Sequence, residues 1–268
     1  MDISVVLLTW NSEKYISKCL DSLCSDLRET RFAYEIFIVD NGSKDRTTDI
    51  IHEFREAYPE NIIPIYLEKN TGTTFSRNLA LKKAKGKYVA VMDSDVEVFR
   101  GTFEQLITTL DEKEEVGLIA PRLLYPNGNL QKSTDVFPTV FTKVCRYFFL
   151  KYIEQRDNKH NIEARPREVD YAISAVWILK REVVGKVGLL DEKIFYAPED
   201  VDYCLRVWKA GYKILYKPDV SCIHHTQEIS RGLKINAATI EHIRGLFYYF
   251  RKHNYLLRSP KKGKSKLM

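Results

Sequence analysis

The stretch "AVMDSDVEVF", residues 90–99, decides how the chain is interpreted. Apolar residues lead directly into Asp93, Ser94 and Asp95, and apolar residues follow at once. Two carboxylates this close repel each other, and each raises the cost of ionising the other unless a cation lies between them. Side chains two positions apart in an extended segment point to the same side. The pair is therefore either a solvated turn or part of a metal site that also binds diphosphate oxygens.

The chain before this stretch alternates between strand and helix patterns. Runs of apolar residues predict strands that are covered on both faces, and segments with helical spacing separate them. This alternation predicts an α/β fold with a mostly parallel central sheet flanked by helices. The four strand patterns are "ISVVLLT", "YEIFIVD", "IIPIYLE" and "KYVAVMD".

Polar side chains follow three of these strands. In open α/β sheets, ligands bind beyond the carboxyl ends of the strands. Polar groups at three such ends therefore predict a binding site at one edge of the sheet. They are Thr9 and Asn11 after the first strand, Asp40 and Asn41 after the second, and Asp93 and Asp95 after the fourth.

The second half of the chain is less regular. Residues 140–168 mix aromatic and basic side chains without clean periodicity and are interpreted as a mobile or acceptor-facing segment. The other patterns predict a strand and hairpin turning at Asn127-Gly128, a strand in "VDYAISAVWILKRE", a helix in "EDVDYCLRVWKAGY", short strands in "KILYKP" and "VSCIHH", and a C-terminal amphipathic helix in "AATIEHIRGLFYYFRKH".

Two further groups of residues could perform chemistry. Glu199, Asp200 and Asp202 open a predicted helix, and His224 and His225 end a predicted strand. Acidic residues at a helix N-terminus are common because they interact favourably with the macrodipole. A histidine at a strand end is also more often a hydrogen-bonded surface residue than a ligand. Neither group is specific in isolation.

Charge and cysteine usage limit the function classes. The chain has 268 residues, 44% of them hydrophobic, and a formal net charge of +6. Four lysines lie in the last ten residues, which contain no acid, so the rest is only mildly basic and nucleic-acid binding is not expected. The five cysteines form no CxxC pattern, which favours a reducing cytosol over a disulfide framework. No apolar run approaches the roughly 18 residues of a membrane span, and "ISVVLL" starts without a basic leader, so we expect a cytoplasmic protein.

Several segments in a fixed order resemble family 2 of the glycosyltransferases, and within it the bacterial rhamnosyltransferase-like enzymes of cell-surface polysaccharide synthesis. The resemblance runs from about residue 3 to residue 254. It rests on "VVLLTWNSEKYISKCLDSL", "IVDNGSKDRTTDI", "NTGTTFSRNLALKKAKGKYVAVMDSD", "VGLIAPRLLYPNGNLQ" and "VGLLDEKIFYAPEDVDYCLRVWKAGYKILYKPDVSCIHH".

The resemblance implies a GT-A fold, in which a nucleotide-binding half and an acceptor-binding half share one central sheet. A single domain would then cover residues 1–258 and be followed by a basic tail. Its parts would be a nucleotide-sugar-binding half at 1–98, an acceptor-binding and catalytic half at 99–235, a C-terminal helix at 236–258, and the tail at 259–268.

The resemblance also implies roles for individual residues. Asp200 matches the catalytic base, and Trp177 and Glu199 fall on the acceptor side. A metal ion, Mn²⁺ or Mg²⁺, would be bound by Asp93, Asp95 and His224, with His225 left open as a substitute. The donor would contact Thr9, Asn11, Glu13, Asp40, Arg77, Asn78, Asp93, Ser94 and Asp95.

The implied activity is inverting, metal-dependent transfer from a nucleotide-diphosphate sugar, with UDP or dTDP favoured over GDP, to a saccharide or lipid-linked acceptor. Two alternatives stay open. A sugar-phosphate nucleotidyltransferase should carry a glycine-rich basic signature after its first strand, and "TWNSEKY" has none. The second alternative is a non-catalytic scaffold or binding protein, which would not need to keep an acid, a base and a metal ligand at the positions that the family pattern requires.

The C-terminus "IRGLFYYFRKHNYLLRSPKKGKSKLM" has two interpretations. In one, the helix docks on the core by its aromatic face and a solvated tail follows. In the other, the basic end lies on an anionic membrane surface, where each Lys or Arg is worth roughly 1 kcal/mol. The second interpretation predicts peripheral association with the inner face of the plasma membrane.

Overall fold

The structure is a computed structural model, and it describes residues 1–139, 165–226, 237–256 and 260. Most of the segment 140–168 and nearly all of the basic tail 259–268 lie outside these residues, so the predictions for them stay untested.

The first half folds in the order that the sequence predicts. Four strands alternate with three helices, and a short strand follows the fourth. The elements are β1 (Ile3–Thr9), α1 (Ile16–Glu29), β2 (Tyr34–Asp40), α2 (Thr47–Ala57), β3 (Ile62–Tyr66), α3 (Thr73–Leu81), β4 (Tyr88–Asp93) and β5 (Val96–Val98).

The second half adds strands to the same sheet and places helices on its faces. Its elements within the described residues are α4 (Thr102–Asp111), β6 (Val116–Leu124), β7 (Leu130–Gln131), β8 (Thr134–Asp135), β9 (Arg167–Glu168), β10 (Tyr171–Ala172), β11 (Val176–Lys180), α5 (Arg181–Val187), α6 (Glu199–Lys209), β12 (Lys213–His224) and α7 (Ala237–His253).

One central sheet joins both halves. Its strand order is β3-β2-β1-β4-β11-β6-β12-β5, and the first four strands are parallel. Strand β11 runs antiparallel to both β4 and β6, whereas β6 and β12 are parallel to each other. The predicted mostly parallel α/β sheet is confirmed.

Strand register brings the polar strand ends together. Thr9 pairs with Asp40 across β1 and β2, and Leu8 pairs with Asp93 across β1 and β4. Because the three strands end at the same level, the residues that follow them converge on one edge. Apolar side chains on the two faces of the sheet form two buried clusters, one with α1 and α4 and the other with α3, α5, α6 and α7.

One prediction about the strands needs correction. The segments "KILYKP" and "VSCIHH" were expected to be separate strands, but Lys213–His224 forms one continuous strand. Its pairing with β6 shifts register between Lys217 and Ser221, around Pro218, which has no N–H to donate to the ladder. The register shift does not end the strand, so His224 stays in the sheet, where it pairs with Val96.

The sequence analysis expected neither a disulfide framework nor a membrane span, and the structure describes most of the cysteines and the helices. Within the described ranges, Cys19, Cys24, Cys204 and Cys222 are buried free thiols. Over those same residues, the helices all fall short of the length and apolar content that crossing a bilayer demands.

Candidate active site

Three potential metal ligands meet where β4 and β12 end. Asp93 ends β4, Asp95 follows two residues later, and His224 ends β12. One ligand atom from each of these residues lies within 4.8 Å of the other two, and His224 Nε2 is 3.3 Å from Asp95 Oδ1. Two carboxylates and an imidazole form a donor set that suits Mn²⁺, and the carboxylates also suit Mg²⁺.

The orientation of His224 fits a ligand role. Its Nδ1 lies 2.9 Å from Gln131 Oε1, which can only accept a hydrogen bond. In the neutral imidazole this contact places the proton on Nδ1 and leaves the Nε2 lone pair towards the carboxylates, whereas in the protonated imidazole Nε2 also carries a proton and donates to Asp95. Metal-bound histidines are commonly oriented by a hydrogen bond from the other ring nitrogen. His225 instead pairs with Glu97 at 2.5 Å and donates its backbone N–H to Asp95 O.

Burial and neighbouring charges shift the pKa values of Asp93 and His224. Burial and the neighbouring Asp95 carboxylate raise the pKa of Asp93, although Arg77 and His224 oppose the change. Burial tends to lower the pKa of His224, but its hydrogen bond to Asp95 and the charges of both aspartates raise it overall. Asp93, Asp95 and His224 therefore interact electrostatically, and their carboxylate and imidazole donors are of the types that bind a divalent cation.

A buried arginine connects this cluster to the start of α6. Arg77 on α3 is 1% exposed, and its Nη2 lies 2.5 Å from Asp93 Oδ1. Its Nη1 donates to Ser174 Oγ at 2.8 Å and lies 3.5 Å from Glu199 Oε1. Ser174 Oγ in turn donates to Glu199 Oε1 at 3.0 Å. Arg77 therefore connects the Asp93 carboxylate to the acidic start of α6, and its burial supports this connecting role more than the direct nucleotide contact that the resemblance implied.

The two acidic residues that open α6 have different surroundings. Glu199 is buried, and burial together with the charge of Asp200 raises its pKa to about 8. Asp200 is only partly buried, and its Oδ1 accepts the backbone N–H of Val201 at 2.7 Å. At neutral pH Glu199 is thus mostly protonated and bound to its neighbours, whereas Asp200 is the residue of the pair with solvent access.

The donor-side residues lie at the ends of β1 and β2. Thr9 is buried, and its Oγ1 forms no hydrogen bond with any residue that the structure describes. Asp40 accepts the Oγ–H of Ser43 at 2.5 Å and the N–H of Ser43 at 3.1 Å. Ser94 donates to Ser12 Oγ at 2.8 Å. A buried hydroxyl without a partner beside a carboxylate is suited to a polar ligand.

Asn11 and Glu13 join two loops. Asn11 has a left-handed backbone with φ of 49°, and its Oδ1 accepts the N–H of Lys44 at 2.8 Å. Glu13 Oε2 accepts the N–H of Arg46 at 3.1 Å. Both side chains are exposed, so they fix the loops after β1 and β2 at the rim of the site.

Two predicted contact residues lie inside the protein. Asn78 is buried, donates to Leu190 O at 2.9 Å and accepts the N–H of Leu190 at 3.0 Å. Trp177 is 1% exposed, stacks on Tyr203 and donates its indole N–H to Ala172 O at 3.1 Å. These placements support packing roles and not the direct donor contact of Asn78 or the direct acceptor contact of Trp177 that the resemblance implied.

Gln131 and Ser174 organise the site but were not among the predicted site residues, whereas Asn41 was among the polar residues at strand ends. Gln131 orients His224, and Ser174 links Arg77 with Glu199. Asn41 donates to Asn70 Oδ1 at 3.0 Å and accepts the N–H of Thr71 at 2.8 Å, which shapes the loop before α3. Only Asn41, which follows a strand end, carried a signal of its own in the sequence.

The chain belongs to the family described as Glycosyl transferase family 2, whose sequence model matches residues 4–188. That match covers β1 to α5 and includes the Asp93–Asp95 pair.

Among its relatives is the poly(ribitol-phosphate) beta-N-acetylglucosaminyltransferase TarS of Staphylococcus aureus (strain MW2), which is 29% identical over 213 residues. The alignment covers 73% of this chain but 35% of TarS, so the chain spans about a third of that relative.

Solved structures share the fold. The crystal structure of GalNAc-T7 with UDP, GalNAc and Mn²⁺ matches with a TM-score of 0.68 at 14% identity, covering 94% of this chain and 48% of that one. The mannosyltransferase PcManGT from Pyrobaculum calidifontis, in complex with GDP-Man and Mn²⁺, matches with a TM-score of 0.63 at 19% identity, covering 98% and 66%. At these identities the matches show a shared GT-A fold.

Proposed function

We propose that the protein is an inverting, metal-dependent glycosyltransferase. It moves a sugar from a nucleotide-diphosphate donor to a saccharide or lipid-linked acceptor in cell-surface polysaccharide synthesis. The observation that carries the proposal is the cluster of Asp93, Asp95 and His224, whose ligand atoms lie within 4.8 Å of one another, and its connection through Arg77 to the acidic start of α6.

The residues divide the reaction between them. Asp93, Asp95 and His224 would hold Mn²⁺ or Mg²⁺, which when bound offsets charge on the departing diphosphate. Asp200 takes the proton of the acceptor hydroxyl while its oxygen bonds to the anomeric carbon. The bond from that carbon to the nucleotide diphosphate breaks in the same step. A single displacement inverts the configuration and needs no covalent nucleophile.

The proposal assigns the donor and the acceptor to different halves of the chain. Residues 1–98 bind the nucleotide sugar, with UDP or dTDP as the base-bearing group beside Asp40 and Thr9. Residues 99–235 bind the acceptor and carry the base, and together with the C-terminal helix at 236–258 they complete one domain. The relative TarS is named for a poly(ribitol-phosphate) acceptor and an N-acetylglucosaminyl group, which favours a cell-surface polymer here too.

Phe195 and Tyr196, 43% and 36% exposed just before Asp200, offer aromatic faces to the acceptor.

The C-terminal helix supports contact with a cytoplasmic membrane surface. Tyr249 and Phe250 on α7 are buried, whereas Ile240, Ile243 and Phe247 are 43%, 62% and 72% exposed. Their spacing of three and four places the exposed residues on one face of the helix. Four lysines follow in the sequence between residues 261 and 266. An apolar helix face followed in the sequence by a run of lysines suits an anionic leaflet, which is where a lipid-linked acceptor would lie.

The experiment is a panel of UDP-, dTDP- and GDP-sugars scored by nucleotide release, with Mn²⁺, with Mg²⁺ and with EDTA. We expect release with at least one donor, its loss in EDTA and its recovery when metal is added back. Asp200→Asn should lower turnover about 10²–10⁴-fold with little change in donor affinity. Full activity in EDTA, or no release from any donor, would refute the proposal.

A further inference from the structure

The segment 191–202 contains the proposed base and contacts two helices, α3 and α7. It begins at Asp191, passes through the exposed aromatic residues Phe195 and Tyr196, and ends inside the first turn of α6 at Asp202. Most of the segment lies outside regular structure, so contacts from neighbouring elements must fix it.

Helix α3 contacts the segment from the nucleotide side. The N–H of Thr73 and the Oγ1 of Thr74 donate to the carbonyl oxygens of Phe195 and Ile194, each at 2.7 Å. The Phe195 backbone also approaches Gly72 so closely that a Cβ there would lie 2.5 Å from the Phe195 carbonyl oxygen. These bonds fix the middle of the segment.

Helix α7 contacts both ends of the segment. Lys252 Nζ lies 2.6 Å from Asp191 Oδ2 and 2.7 Å from Asp202 Oδ1, so one ammonium group joins the two ends. Tyr248 donates to Asp191 Oδ2 at 2.9 Å, and His253 Nε2 lies 2.8 Å from Asp202 Oδ1. The Lys252 and Asp202 side chains are 23% and 1% exposed, so these bonds are shielded from water.

The two backbones also meet directly. A Cβ built on Gly245 in α7 would overlap the carbonyl oxygen of Ala197, and its neighbours would include Pro198 Cδ at 3.1 Å. Ala197 and Pro198 are the two residues before Glu199 and Asp200. The absence of a side chain at Gly245 therefore allows α7 to press on the segment immediately before the base.

We propose that α7 is a positioning element for catalysis and that Lys252 is its main positioning residue, because it joins both ends of the segment that carries Asp200. The consequence for turnover rests on the proposed function. The effect on the order of segment 191–202 does not, and it can be measured without any substrate.

The first test compares Lys252→Met, Lys252→Arg and the control Lys83→Met, since Lys83 is an exposed lysine in the turn after α3. Hydrogen exchange measured by mass spectrometry should show amides of 191–202 exchanging about 10-fold faster or more in Lys252→Met, with strands β1 and β4 unchanged. Lys83→Met should match the wild type. Lys252→Arg, which keeps the charge, should restore most of the protection.

Kinetics give the second readout. A small displacement of a catalytic group can cost up to about 10²-fold in rate, so kcat of Lys252→Met should fall about 10- to 100-fold. The KM for the nucleotide sugar should change less than about threefold, because the donor site lies on β1, β2 and β4. A general loss of structure would also speed the exchange of strands β1 and β4, and the arginine variant would not rescue it.

A glycine pair provides an independent test. Gly245→Ala should displace α7 from Ala197 and reproduce the faster exchange of 191–202. Gly185→Ala is the matched control, because it also lies in a helix but a Cβ there would meet nothing within 4 Å. Unchanged exchange of 191–202 in both Lys252→Met and Gly245→Ala would overturn the proposal. If the wild type released no nucleotide from any donor while the exchange differences were still present, the proposed function would be overturned instead.

Discussion

The buried carboxylate of Asp202 gives a quantitative prediction for acid stability. Burial would raise its pKa, but hydrogen bonds from His253 and Lys252 and the charge of Arg206 lower it from the ordinary 3.8 to about 2. Each pKa unit corresponds to about 1.4 kcal/mol, so the ionised group stabilises the fold by about 2.5 kcal/mol. Because the folded pKa is the lower one, this stabilisation is present above pH 3.8 and is lost as the pH falls towards 2.

The perturbation that isolates this contribution is Asp202→Asn, which keeps the shape and removes the charge. Linkage between the two pKa values predicts that the stability gap between wild type and variant shrinks by about 1 kcal/mol from pH 5 to pH 3. By pH 2 it should have shrunk by about 2 kcal/mol. Urea unfolding followed by circular dichroism at each pH measures the gap, and urea avoids the added salt of guanidinium. A gap that stays constant from pH 5 to pH 2 would refute the reasoning.

Three further predictions concern the site and the C-terminal helix. Asp95→Ala should weaken Mn²⁺-dependent binding of a nucleoside diphosphate by about tenfold or more but leave binding of the bare nucleoside unchanged, as measured by calorimetry; equal losses for both would contradict a metal role. Glu199→Gln should keep turnover within about tenfold of the wild type, because Glu199 has a pKa of about 8 and is mostly protonated at neutral pH. Asp200→Asn should lower turnover about 10²-fold or more in the same nucleotide-release assay, and the reverse order of effects would move the base to Glu199. Phe247→Ser should reduce sedimentation with anionic liposomes without changing the sedimentation of the protein alone, and ending the chain at Arg258 should remove the salt-dependent part of liposome binding. Equal partitioning of both chain lengths onto neutral vesicles would contradict the electrostatic component.

The mostly parallel sheet and the position of the Asp93–Asp95 pair at a strand end could be predicted because their causes are local. Buried parallel strands require continuous apolar runs, and a ligand edge requires polar residues at strand ends, so "KYVAVMDSD" carries both signals in nine residues. The structure then brings His224, 129 residues after Asp95, to 3.3 Å from it. Register along β12 decides that contact, and the sequence pattern around Pro218 does not reveal it.

Other parts of the site depend on contacts between distant residues that no local pattern reveals. An arginine on a helix is expected at the surface, yet Arg77 is buried, because Asp93, Ser174 and Glu199 provide polar partners for its guanidinium. Lys252 reads as part of a basic helix end, and only the packing of α7 shows that it pairs with two aspartates. Polar residues at a predicted site edge therefore split into exposed contact residues and buried connecting residues, and this division requires the structure.

The stereochemistry of transfer tests the central claim most directly. Proton NMR can follow the reaction of the preferred α-linked nucleotide sugar in Mg²⁺, which avoids the line broadening of Mn²⁺. A single displacement with Asp200 as base predicts that the first product formed carries a β-linkage, with no product when EDTA replaces Mg²⁺. An α-linked first product, or the same rate of product formation in EDTA, would contradict the account.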